Sequence, residues 1–268
     1  KHAKQVQRLT DIELLARVDL GPTITLNIRK AGCAVVPPSF TLTNLQGEVS
    51  YDPTTERLDM TEMRLTTENS DLAVTGQITL SGETPGIDLT SKIQRLALSD
   101  VCKWLATGTE KPAFCGAVLA GRLKVEGKLD CLHHELDVHI DPFSMQSRGT
   151  LDMARANGPG VDISASIHRL NPATLPFVPP GTPNGQIGAR VEIEGKNLAG
   201  ANRQATVSVE LTPSKFAGYE INGGRLSARV RGNDVEILQS NLNGPSGRID
   251  VKGTLAGVLD PKTNTVAK

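Results

Sequence analysis

The densest run of chemically capable side chains is His133-His134-Glu135-Leu136-Asp137-Val138-His139. Imidazoles and carboxylates this close could hold zinc and activate water. The helical motif that does so carries two histidines four apart on one face. Here His134 and His139 are five apart, and the flanking residues alternate polar with apolar, which is the pattern of a strand. On a strand His133, Glu135, Asp137 and His139 share one face. That face reads as solvated and charged, with an adventitious metal site as the alternative.

Other chemistry is sparse. No phosphate-cradling glycine loop enters a helical segment, and Gly-Pro-Ser-Gly at 244–247 reads as a turn rather than a nucleophile elbow. The carboxylates are scattered, with no pairing for general acid–base work. One tryptophan and two tyrosines supply little for stacking on carbohydrate. We therefore assign no catalytic residue, no cofactor and no enzymatic activity. The four cysteines, Cys33, Cys102, Cys115 and Cys131, include no Cys-x-x-Cys pair. Cys102 and Cys115 bracket a short excursion. A disulfide there would close a small loop worth about 3 kcal/mol in an oxidising compartment; two free thiols in a packed layer is the other reading.

What positions these residues is a period of two. In Leu14 to Leu20, Leu14, Ala16, Val18 and Leu20 take one face while Leu15, Arg17 and Asp19 take the other. Ile24, Leu26 and Ile28 continue the pattern, as do Leu72, Val74 and Ile78; Ile87, Leu89 and Ile93; Val207, Val209 and Leu211; and Ile249, Val251 and Leu255. One wet and one dry face favours antiparallel meanders over buried parallel sheets. Turn signals such as Asp52-Pro53, Pro85-Gly86, Pro159-Gly160 and Gly232-Asn233 recur at short intervals, giving about fourteen to eighteen strands. Only two places look helical: one capped by Ser99 or Asp100, and one where Asn171 precedes Pro172.

Aromatics at 3% and hydrophobics at 38% of 268 residues supply a thin aliphatic layer rather than a large compact core. With 29 acidic and 29 basic residues the net charge is zero, which argues against nucleic acid as a partner. No stretch reaches the roughly 18 apolar residues of a membrane span. The chain opens at Lys1 without methionine or a signal peptide, so it reads as a piece of something longer.

The alternation is also repeated. Gly47 to Gly76 lies on Gly224 to Gly253 without a gap, bringing Leu58, Met60, Leu65, Leu72 and Val74 onto Val235, Ile237, Leu242, Ile249 and Val251. Pro85 to Leu96 returns as Pro159 to Leu170, and Leu119 to Lys128 as Ile187 to Lys196. Persistence of apolar type and glycine placement marks a repeated supersecondary unit. We expect units over residues 12–105, 106–177 and 178–260, with residues 1–11 as a linker and 261–268 as a tail; the joints are the Gly/Pro-rich stretches 106–117 and 178–186.

Asn69-Ser70-Asp71-Leu72-Ala73-Val74-Thr75-Gly76, preceded by Leu45-Gln46-Gly47 and the strand Leu58 to Leu65, resembles the recurring phrase of TamB and its AsmA-like relatives. Gly247 to Gly253 is a weaker echo, and the likeness of pattern covers most of residues 12–257. The resemblance implies an all-β fold: an elongated, curled antiparallel sheet of groove-forming repeats with short crossover helices. It implies a hydrophobic groove, lined by residues such as Val18 and Leu26, that holds phospholipid acyl chains. It further implies a periplasmic protein anchored in the inner membrane of a diderm bacterium. Such a protein conducts phospholipid to the outer membrane or aids outer-membrane biogenesis, with an outer-membrane barrel as partner of the parent chain. The four cysteines depart from that family. The competing expectations are a structural or adhesive β-repeat closed as a sandwich or solenoid, and a β-helical enzyme with a polar cleft.

Overall fold

Aliphatic and β-branched residues at every second position, interrupted by glycine and proline turns, leave the backbone few options besides antiparallel strands. The computed structural model describes residues 8–36, 40–100, 117–140, 142–154, 158–174, 181–198 and 202–256. These residues are almost wholly β and carry seventeen strands. The expected Cys102–Cys115 bridge, the stretches 101–116 and 175–180, and the tail at 261–268 lie outside them.

Two compact units are present: Lys1–Leu129 with Val138–Ile140, and Asp130–Asp137 with Asp141–Lys268. In the first, β1 (Arg8–Leu20), β2 (Ile24–Val36), β3 (Phe40–Asp52), β4 (Arg57–Thr67), β5 (Asp71–Thr79), β6 (Gly86–Ala97) and β7 (Val118–Lys128) pair antiparallel in chain order. Residues 8–11, expected to be linker, are the start of β1, because Arg8, Leu9 and Thr10 lie opposite Val36, Val35 and Ala34. In the second unit, β9 (Phe143–Asp152), β10 (Gly160–Leu170), β11 (Gly185–Lys196) and β12 (Gln204–Leu211) pair in the same way. The short hairpin β13 (Ser214–Phe216) and β14 (Tyr219–Ile221) pairs with the start of β11. β12 then pairs with β15 (Gly223–Arg231), followed by β16 (Asp234–Gly244) and β17 (Gly247–Leu255). The strand β8 (Cys131–Ile140) is shared between the two units. Among the described residues β1 and β17 each have one strand neighbour, so both units are open sheets rather than barrels.

The repeats are visible in the hydrogen-bond register. In β6–β7 Ile87, Leu89, Ser91 and Ile93 face Gly127, Val125, Leu123 and Gly121; in β10–β11 Val161, Ile163, Ala165 and Ile167 face Gly195, Ile193, Val191 and Ala189. Both hairpins break register at the same place, after Ile93 and after Ile167. β4–β5 and β16–β17 agree as closely: Met60 faces Gly76 and Ile237 faces Gly253, with the irregularity directly after Met60 and Ile237 in each. Such bulges bend a strand and sharpen its twist, which lets a single sheet coil.

The ungapped alignment fails over one strand. Tyr51 faces Leu58 across a four-residue turn, whereas Val230 faces Val235 across a two-residue turn. β15 therefore matches β3 two residues away from the position that the aligned letters give. The Gly47–Gly224 match is a coincidence of sequence.

The two expected helix starts differ. Asn171 caps as expected: its Oδ1 accepts from the N–H of Ala173 and of Gly185, and Pro172–Thr174 form a single 3-10 turn. At the other, residues 98–100 are already helical, so neither Ser99 nor Asp100 is the cap. The Asp100 carboxylate is buried and instead accepts from Thr67 Oγ1 and Ser70 Oγ, both at 2.7 Å. The Thr67 hydroxyl oxygen also accepts from the Ser70 N–H, and Ser70 Oγ from the Ala97 N–H. Such a fully bonded polar knot at the end of three strands fixes the β4–β5 turn against the end of β6; a buried carboxylate is tolerated only when bonded in this way.

Candidate functional site

Residues directly opposite one another in an antiparallel sheet point to the same face. Followed from strand to strand, the register turns the alternation of single strands into continuous rows. In the first unit one row runs Val18, Leu26, Val49, Met60, Gly76, Leu89, Val125. Three more run beside it on the same face, beginning Leu14–Ala31, Ala16–Ile28 and Leu20–Ile24. In the second unit one row runs Gly149, Ile163, Ile193, Val207, Ala228, Ile237, Gly253, with neighbours through Val161, through Val191–Val209–Leu226, and through Ile167. Val18 and Leu26, expected to line a groove, are therefore direct partners in one row.

The opposite face is polar along equally continuous rows. Asp19, Thr25, Ser50, Asp59, Gln77, Asp88 and Glu126 form one of them. Several ions of this face pair at the surface: Arg17 with Asp19, Arg57 with Asp59, Lys124 with Glu126, and Arg248 with Asp250 in the second unit. Exposed pairs of this kind contribute little stability, but they keep the face wet. Arg64 grips Asp71 with two hydrogen bonds, and that grip holds the Asp71 carboxyl below its ordinary range. At the β3–β4 turn, Asp52 is lowered by hydrogen bonds from the Thr55 hydroxyl and the Thr54 N–H.

Among the described residues no second sheet layer seals the dry rows. Among the described residues the buried hydrophobic side chains are Ile93, Ala97, Val138 and Ala189, and no large side chain is fully buried. Leu26, Val49, Met60, Leu89, Val125, Ile163, Ile193, Val207 and Val209 are all half-buried. A sandwich of two sheets would bury its inner rows completely. The rows here are half-buried along most of the sheet, with Ile93 and Ala189 buried, and become exposed on β1 and β17.

The histidine run divides as its parity requires. His133, Glu135, Asp137 and His139 are exposed. His133 Nδ1 lies 2.9 Å from Thr150 Oγ1, and Asp137 accepts from Gln146 at 3.1 Å. His134 turns the other way, half-buried, with Nε2 3.0 Å from Ser147 Oγ. Ser147 faces Ala165 in a dry row, so His134 and Ser147 put a polar pair on the apolar face. Parity alone could have found this pair, since His134 alternates with Leu136 and Val138. Cys33 and Cys131 are free thiols, both half-buried. Among the described residues no helix is long and apolar enough to cross a membrane.

No family model, no curated protein and no solved structure matches this chain.

Proposed function

We propose that this chain is a segment of a periplasm-spanning protein whose apolar trough conducts phospholipid between the inner and outer membranes. The supporting observation is the pair of four-row aliphatic faces, each assembled strand by strand and each left half-exposed by the protein itself. A monomeric soluble domain rarely leaves so large an apolar surface open unless something occupies it. An acyl chain fits that surface because it needs only contiguous aliphatic contact, and each methylene it buries contributes about 0.8 kcal/mol. Eight buried methylenes would contribute on the order of 6 kcal/mol, enough to hold a tail without selecting one lipid over another. The polar rows of the other face keep such a segment in water. The periplasmic setting, the inner-membrane anchor of the parent and an outer-membrane barrel as its partner come from the likeness to the TamB and AsmA-like proteins.

The experiment is mass spectrometry of lipid extracted from the purified chain, with the protein kept native until extraction. Phospholipid in stoichiometric amounts is the expected result. A chain that carries none, and takes up none from added vesicles, is incompatible with the proposal.

A further inference from the structure

Three strands hold the same place in the repeat: β5, β9 and β17. β16–β17 reproduces the register of β4–β5 through its irregularity. β9 meets β10 as β5 meets β6, with Gly149 opposite Ile163 and Gly76 opposite Leu89. Beyond β5 and β9 lies a strand opening Pro-Gly-Ile-Asp or Pro-Gly-Val-Asp. No strand lies beyond β17 among the described residues.

Two observations show what that edge is shaped for. The first is a glycine. A Cβ at Gly76 would sit 2.0 Å from the Asp88 carbonyl oxygen, and one at Gly149 2.2 Å from that of Asp162. Glycine is needed at both because the backbone of the covering strand passes where a side chain would begin. Gly253 occupies the equivalent position in β17, and nothing lies within 4 Å of its Cβ direction. The clearance is present, and among the described residues no strand fills it. The second is exposure. Leu72, Val74 and Ile78 of β5 are half-buried. Their counterparts Ile249, Val251 and Leu255 are 61%, 46% and 51% exposed. A long apolar edge with unpaired N–H and C=O groups is a template for one more strand.

We propose that the edge of β17 left open among the described residues docks a strand of the β6/β10 type supplied by a separate polypeptide. That strand runs antiparallel to β17, with alternating apolar residues on the dry face and one of them opposite Gly253. In the β5–β6 register Lys92 faces Ala73, and the counterpart of Ala73 is Asp250. A β6-like strand therefore sets a lysine against a carboxylate on the wet face as it covers Ile249 and Val251.

The test adds a synthetic peptide of residues 85–97, PGIDLTSKIQRLA, to the full 268-residue chain and follows amide exchange and binding. A peptide of scrambled order and the variant G253V serve as comparisons. Gly253 faces open space, so G253V keeps the wild-type circular dichroism and melting curve. The expected result is saturable binding that protects β17 amides, weakened about tenfold or more by scrambling and by G253V. Three results overturn the proposal: equal binding of the scrambled peptide, undiminished binding by G253V, or self-association through β17 with no affinity for the peptide.

Discussion

Gly149→Val is expected to destabilise the second unit's sheet severely, and Gly76→Val the first unit's. A Cβ at Gly149 lies 2.2 Å from the Asp162 carbonyl oxygen and 2.9 Å from the Ile163 Cα, both in the backbone of the adjacent strand. Backbone cannot step aside as a flexible side chain can, so β9 and β10 must separate around this point. At Gly76 the clash at 2.0 Å is joined by a φ of +138°, which L side chains rarely adopt. Overpacking with backbone displacement costs about 3 kcal/mol or more, a large share of the stability of a domain this size. Denaturant melts of the two variants check it: each should lose at least half of the wild-type midpoint concentration. A midpoint within experimental error of wild type would mean that the strands are not as close as described.

Val209→Asp is expected to abolish lipid carriage while leaving the fold in place. Val209 lies mid-row between Val191 and Leu226 and is half-buried. A carboxylate there stays hydrated, so the chain remains folded. A tail crossing the row would have to desolvate that charge, at a cost of several kcal/mol. Retained lipid should therefore fall at least tenfold, by about 1.4 kcal/mol or more. Ser227→Asp is the comparison, since Ser227 faces Ser208 on the polar side, one residue from Leu226. It should change lipid content little. Equal losses from both substitutions would indicate a general effect of charge and not of the dry face.

Much of this architecture is legible in the letters, and what is hidden has a physical reason. Alternation fixes which face each side chain takes within a strand, and so groups Val18 with Leu14 and Leu20 and separates His134 from His133. It does not fix the register between strands. Sliding a strand by two residues preserves every side chain's face. The ungapped repeat therefore reads correctly through β4–β5 and β16–β17, and misplaces β15 against β3, where turn length sets the pairing. Asp100 is misread as a cap because its partners, Thr67 and Ser70, are some thirty residues away in sequence. The meaning of the strand glycines is hidden for the same reason. Gly76, Gly149 and Gly253 look alike in sequence, and only the neighbouring strand separates two tight contacts from one open slot.

The most direct measurement places a photo-crosslinking side chain at Val209 and, in a second protein, at Ser227, then irradiates each in cells and searches for covalently attached phospholipid. Attachment at Val209 with little at Ser227 is the expected outcome, because a tail lies along the aliphatic rows and not across the charged face. Equal attachment at both sites, or none at Val209, would mean that no hydrocarbon occupies those rows.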